Sequence, residues 1–224
     1  MIKKGIELLL DFIYPKRCLL CDELYDTDYT GILCDDCRTQ KIHYNRIVER
    51  KINLHYVDEC HGLFLYEEPV SRAIVALKFN NRPDKGKGFG SLMAEYVKRN
   101  IPEYKQAVIT DVPLGKKRKR ERRYNQSSIL AKQMAKELGT EFLKNTVIRI
   151  RETKAQSTLG SRRRIENIKD CFYVVDPAKV KGRIVIIADD VVTTGSTLNE
   201  LAKELKKAGA KKVIGIAAAT SDVP

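Results

Sequence analysis

The chain of 224 residues contains no tryptophan, and only 7% of it is aromatic. A broad stacking surface of the kind that carries much single-strand nucleic-acid binding is therefore thin. Six cysteines at this length are too few for a disulfide scaffold, and a reducing, cytoplasmic compartment is the expectation. The three histidines, His43, His55 and His61, are scattered and read as structural or surface residues rather than metal ligands. No run of about 18 apolar residues occurs, so no membrane-spanning helix is expected. No internal repeat is visible either.

Negative charge is the other shortage. Lysine and arginine total 42 against 29 acids, a formal net charge of +13. That balance favours polyanionic partners such as nucleic acid, nucleotides or an anionic membrane surface. The length allows one full α/β core with a small accessory module, and 43% hydrophobic content fits a folded protein. The opening stretch MIKKGIELLLDFIY has lysines before apolar residues, but Glu7 and Asp11 interrupt it and no small-residue cleavage site follows. Export is not expected. Ile2, Ile6, Leu9 and Ile13 share one helical face, which predicts a docking helix ending at Pro15.

Cys18 and Cys21 are followed by Cys34 and Cys37, two Cys-x-x-Cys pairs with twelve residues between them. Each pair places two thiolates on one tight turn, and two turns complete a closed tetrahedral site for structural Zn²⁺. The intervening residues suit a short ribbon turning near Thr30 and Gly31. A redox dithiol is the competing reading for one pair. Cys60 and Cys171 read as buried thiols. His61 beside Cys60 is a weaker alternative for one of the four ligand positions.

From Glu59 a strand is expected, then a helix across PVSRAIVALKF with Val70, Ile74 and Leu77 on one face. NNRPDKGKG reads as a loop, and helical spacing resumes from Phe89 to Arg99. Ala107 to Val112 reads as the first core strand. A basic block, KKRKRERR, spans Lys116 to Arg123 in the turn after that strand, and Asn125 opens a helix through Leu138. The block starts where open α/β sheets bind ligands, although a merely solvated loop gives the same composition. Thr146 to Ile150 reads as a strand. The basic, Ser/Thr-rich segment after it reads as a mobile excursion over the site or as disorder without function. Val213 to Ala218 is the last predicted strand.

The most informative stretch is RIVIIADDVVTTGST, Arg183 to Thr197. Ile184 to Ala188 form a strand buried on both faces, and Asp189 and Asp190 stand at its end. Val191, Thr193, Thr194, Gly195, Ser196 and Thr197 follow, and then an amphipathic helix carrying Leu198, Leu201, Ala202 and Leu205. Such a turn offers backbone N–H groups and hydroxyls to a phosphate, with the helix N-terminus adding positive partial charge. Carboxylates beside it accept hydrogen bonds from a vicinal diol. Together they complement ribose 5-phosphate. An ordinary strand-turn-helix with Asp and Thr as caps is the bland alternative.

This stretch resembles the 5-phosphoribosyl-1-pyrophosphate (PRPP) motif of type I phosphoribosyltransferases, with Ala188 where a bulkier residue is commoner. The resemblance implies an α/β fold with a parallel sheet flanked by helices. It also implies that Asp189 and Asp190 hold the ribose hydroxyls and support the ring in a transfer reaction. Val191 and Thr193 to Thr197 would hold PRPP, and Gly115, Lys116 and Lys117 would form the pyrophosphate loop with Mg²⁺.

More fragments converge on the ComF (ComFC) competence family. Arg122, Tyr124, Asn125 and Gln126 match its Arg-Gly-Phe-Asn-Gln signature, with Arg123 in the glycine's place. Thr153, Gln156, Leu159, Arg164, Asn167 and Phe172 match a second segment, with Lys154 and Ala155 replacing Pro-Pro. Ala76 to Phe79 resembles the family's Leu-Lys-Tyr, without a glycine soon after it, and a four-cysteine module precedes the transferase-like domain there too. The resemblance implies a module over residues 1–45 and a transferase-like domain over 46–224. It implies single-stranded DNA handling on the cytoplasmic side of the membrane with a helicase-like competence partner. Lys117, Arg118, Lys119, Arg120, Arg122, Arg123 and Arg162, Arg163, Arg164 would track the nucleic-acid backbone, with Tyr124 stacking on a base. A membrane surface would also attract this charge. No stretch reads as a nucleobase pocket, so turnover of PRPP is left open. A metabolic transferase acting on a small base or amine is the alternative.

Overall fold

Five strands, the three central ones rich in β-branched residues, lie side by side in the computed structural model, which describes residues 16–25, 31–40, 54–152 and 167–221. They are β1 (Glu59–Leu65), β2 (Ala107–Asp111), β3 (Glu141–Phe142), β6 (Ile184–Val192) and β7 (Lys212–Thr220). Their order across the sheet is β1-β7-β6-β2-β3, and every pairing is parallel. Two further strands, β4 (Val147–Arg149) and β5 (Phe172–Val174), form a separate antiparallel ribbon. The predicted Glu59 strand is thus an edge of the main sheet, paired to β7, and precedes Ala107–Val112 as the first core strand.

Parallel strands need helical crossovers, and the helices cover both faces. The helices are α1 (Asp35–Gln40), α2 (Val70–Phe79), α3 (Pro83–Asn100), α4 (Lys116–Arg122), α5 (Gln126–Leu138) and α6 (Ser196–Lys207). Along β6, Ile184, Ile186 and Ala188 point to one face and pack with α3 and α5. Val185 and Ile187 point to the other and pack with α6. After β2 the chain crosses by α5 to β3 on one side; after β6 it crosses by α6 to β7 on the other. The connections therefore diverge between β2 and β6, and the ligand crevice of such a sheet opens outside the carboxyl ends of these two strands.

Two expectations are corrected. NNRPDKGKG is not a loop from Pro83 onward; it is the first half of α3. Proline fits the first turn of a helix, where its missing N–H costs nothing. The glycines permit close packing: a Cβ at Gly86 would stand 2.9 Å from Ile129, and one at Gly90 would stand 2.9 Å from the Leu130 carbonyl oxygen. The basic block is not a loop either. Lys116–Arg122 forms α4, which Arg123 ends with a left-handed φ of 64°.

The cysteine segment shares the hydrophobic cluster on the α3 face, through Leu19, Leu20 and Leu33. Lys85 in α3 is only 3% exposed. Its ammonium donates to the carbonyls of Cys18 (3.1 Å) and Leu19 (2.8 Å) and to Asp22 (2.9 Å). Arg82 holds the same Asp22 at 2.8 and 3.1 Å. With Arg82 first, then Lys85, drawing it down against burial, the Asp22 carboxyl lies well below the usual carboxylate range. The predicted helix over residues 1–14 lies outside the described residues.

Candidate functional site

Asp189 and Asp190 do not end the strand as expected but lie inside β6, which stays paired with β7 through Val192, and each is held by a residue from a different helix. Ser127, in the first turn of α5, donates its hydroxyl to Asp189 Oδ1 at 2.9 Å, and the Asp190 N–H donates to the same oxygen at 2.8 Å. Lys78, next to the last residue of α2, meets Asp190 Oδ1 at 2.7 Å, with both side chains mostly buried. Burial, and then the neighbouring charge of Asp190, push the Asp189 carboxyl up to about 7 against Ser127 and Lys78. Two adjacent carboxylates in a shielded crevice cannot both ionise freely, and Lys78 offsets one of them.

The other wall comes from β2. Asn125 donates its side-chain amide to Asp111 Oδ2 at 2.8 Å and to the Val112 carbonyl at 3.0 Å. Burial raises the Asp111 carboxyl, with Asn125 among the donors acting against it. Asp111, paired with Ala188 in the register of β2 and β6, thus takes the amide of a residue in the Asn-Gln signature.

Below the acids, Asp189, Val191, Val192, Thr193, Gly195, Ser196, Thr197 and Leu198 line a small hollow. Gly195 adopts φ 70°, a left-handed conformation that suits glycine, and α6 begins at the next residue. The Thr194 hydroxyl donates to Ser196 Oγ at 3.1 Å. The first N–H groups of this twelve-residue helix have no intrahelical partner, which leaves donors for an anion.

Gly115 precedes α4, and a carboxylate already lies against it. A Cβ at Gly115 would be 2.5 Å from Glu152 Oε2, and the Lys117 N–H donates to Glu152 Oε1 at 3.4 Å. The sequence reading missed Glu152. Lys116, Lys117, Lys119, Arg120 and Arg123 are exposed. Arg118 is turned inward. Burial, with Arg122 beside it, pulls it below the usual guanidinium range, against the charges of Glu152, Glu121 and Asp190. Arg149, also missed, feels Arg118 and Glu152 and lies 5.6 Å over the Phe172 ring. The Tyr124 hydroxyl donates to the Leu77 carbonyl at 2.5 Å, tying the turn after α4 to α2. Arg162, Arg163 and Arg164, with Thr153, Lys154, Ala155, Gln156 and Leu159, lie outside the described residues.

Cys18, Cys21, Cys34 and Cys37 place their sulfurs within 4.8 Å of one another. Four sulfurs around zinc, at bonds of about 2.3 Å, lie roughly 3.8 Å apart. The observed Cys21–Cys34 separation is 3.7 Å, so the donor set fits the ion. Burial raises the Cys18 thiol, but backbone N–H donors from Cys34, Cys21 and Leu20 bring it down to about 7. Neither Cys60 nor His61 belongs to this cluster. His61 meets Tyr96 at 3.1 Å and Glu59 at 3.3 Å. The Cys60 thiol is pushed up to about 12 by burial and by the charge of Asp189. No helix among the described residues is long and apolar enough to cross a membrane.

Residues 125–222 match the phosphoribosyl transferase domain model. Competence protein F of Haemophilus influenzae is 32% identical over 192 residues, covering 84% of this chain and 78% of that protein. The chain belongs to the competence protein F family. Competence protein ComFC of Streptococcus pneumoniae is 28% identical over 227 residues, 88% of this chain and 96% of its own length. DNA utilization protein YhgH of Salmonella typhimurium is 35% identical over 151 residues, and the chain spans 66% of that relative's length. The four-cysteine cluster and the parallel sheet flanked by helices agree with the family and fold expected from the sequence.

Proposed function

We propose that this chain binds PRPP at the ends of β2 and β6 and handles single-stranded DNA during natural transformation. One observation carries the first half. Two carboxylates, held by Ser127 and Lys78, stand directly above a small hydroxylated turn that opens a helix N-terminus. Carboxylates accept hydrogen bonds from the ribose hydroxyls; the turn at Thr193 to Thr197 takes the 5-phosphate. Gly115, Lys116 and Lys117 would meet the pyrophosphate. Mg²⁺ would bind together with PRPP and would offset charge on the pyrophosphate.

The DNA half rests on the names of the relatives and on charge. The exposed cations of α4 adjoin the carboxylate site, and phosphate backbones bind such surfaces through counterion release. Structural Zn²⁺ at the four cysteines would hold together the two turns of an N-terminal module over 1–45, which precedes a transferase-like domain over 46–224. Working in the cytoplasm, at the inner face of the membrane with a helicase-like partner, is part of the same proposal.

The test is calorimetric titration of the zinc-loaded chain with PRPP and Mg²⁺, then with an oligonucleotide, with and without PRPP. Saturable binding of both ligands is expected. Failure to bind PRPP would overturn the site, and failure to bind the oligonucleotide would overturn the DNA role. Pyrophosphate release in the same mixture reports whether transfer also occurs.

A further inference from the structure

The sequence offers no recognisable nucleobase pocket, but the fold assembles a flat aromatic surface where one would be used. Phe79 ends α2 and is 67% exposed, the highest value among the large hydrophobic residues of the described chain. A single exposed apolar residue needs no explanation by itself. Phe79 differs from the others in three ways. The Arg122 guanidinium lies 5.1 Å from its ring centroid. That guanidinium is fixed by donating to Oε1 of the buried Gln126 at 3.0 Å. And the residue before it, Lys78, is the one that grips Asp190 at 2.7 Å.

The ring is therefore held beside the carboxylate site. Tyr124 anchors the Leu77 carbonyl, and the Asn80 N–H bonds the Ala76 carbonyl, so the last turn of α2 is tied down on both flanks of Phe79. A guanidinium over an aromatic face leaves the rest of the ring as a π surface whose partner is another flat ring. Arg122 belongs to α4, whose Lys117, Lys119 and Arg120 are exposed cations. Apolar and π-faced, bordered by positive charge, the pair fits a nucleobase that carries a phosphate chain or stands next to one.

We propose that Phe79 and Arg122 form a stacking platform for a nucleobase at the rim of the Asp189–Asp190 site. This rests on the reading of that site as a PRPP site and of α4 as a nucleic-acid surface. The base comes either from single-stranded DNA or as a free base beside bound PRPP; the ring chemistry is the same, and the test separates the two.

Because the chain has no tryptophan, Phe79→Trp in the full, zinc-loaded chain installs a single fluorescent reporter. Three probes are titrated: a thymidine oligonucleotide, an abasic strand of equal length, and free adenine or guanine with PRPP and Mg²⁺. Quenching by the oligonucleotide but not by the abasic strand identifies a base presented by DNA. Quenching by the free base identifies a small acceptor. Phe79→Ala is expected to weaken the base-containing ligand roughly fivefold or more, and Phe79→Tyr to retain it. PRPP affinity should be the same in both.

No quenching by any base, or Phe79→Ala binding equal to the parent, overturns the platform. If the parent chain still binds PRPP and oligonucleotide in that case, the proposed function stands without it. If the parent binds neither ligand, both fall.

Discussion

Replacing Lys85 with methionine should loosen the cysteine module from the core, and the size of the effect follows from three contacts. The ammonium is 3% exposed and donates to two main-chain carbonyls and to Asp22. Methionine fills a similar volume but leaves the Leu19 carbonyl without its donor, while the Cys18 carbonyl keeps the Asp22 N–H at 3.1 Å. A buried acceptor losing its donor costs about 1–3 kcal/mol, and the thioether recovers part of this because no ammonium must be desolvated. Asp22 keeps its fork of bonds to Arg82, so its charge is not stranded. The net loss is about 2 kcal/mol. With a urea dependence of about 3 kcal/mol per molar, the unfolding midpoint of the zinc-loaded chain falls by roughly 0.7 M. Circular dichroism follows the melt, and a chromogenic chelator should draw the metal faster from the variant. Lys87→Met, an exposed change two residues further along the same helix, is the control and should lie within about 0.5 kcal/mol of the parent. Equal midpoints for Lys85→Met and the control would refute the claim that this buried lysine clamps the module.

Two other predictions concern charge. Burial, and then the charge of Asp190, push the Asp189 carboxyl up to about 7, and its ionised form is the stronger acceptor for the ribose hydroxyls. PRPP affinity should therefore rise roughly tenfold between pH 6 and pH 8 in excess of any change in Asp189→Asn, measured by calorimetry. Stability runs the other way: the folded-state value is above the unfolded one, so this group's contribution is full below pH 3.8 and is lost as pH rises through about 7. Neutralising Lys117, Lys119, Arg120 and Arg123 together should make the salt slope of oligonucleotide binding shallower by roughly three. An unchanged slope would remove α4 from the DNA surface.

Features built by neighbours in sequence were legible in the chain. The strand from Ile184, the acids and the turn at Gly195 are consecutive, although the strand runs past the acids to Val192, and the four cysteines announce themselves by spacing. The helix from Asn125 has clear apolar periodicity. What was not legible depends on distant partners. Ser127 and Asp189 are 62 positions apart, and nothing local marks the serine as their link. Lys78 looked like an ordinary basic residue until the fold set it on Asp190. Gly86 reads as loop punctuation because its purpose, close approach to α5, exists only after packing. The basic block has no apolar stripe to announce a helix, yet the Lys119 N–H bonds Gly115 and Arg123 closes the turn. Glu152 escaped notice for the same reason, since its contact with Gly115 and Lys117 crosses between elements.

The central claim is that Asp189 and Asp190 form the ribose-binding half of a PRPP site. Titration of PRPP and Mg²⁺ at pH 8 into the parent chain, and into the Asp189→Asn, Asp190→Asn double variant, tests it most directly. One site per chain is expected in the parent, with binding abolished in the double variant while its zinc content and melting behaviour are retained. Undiminished PRPP binding by a folded double variant would contradict the account.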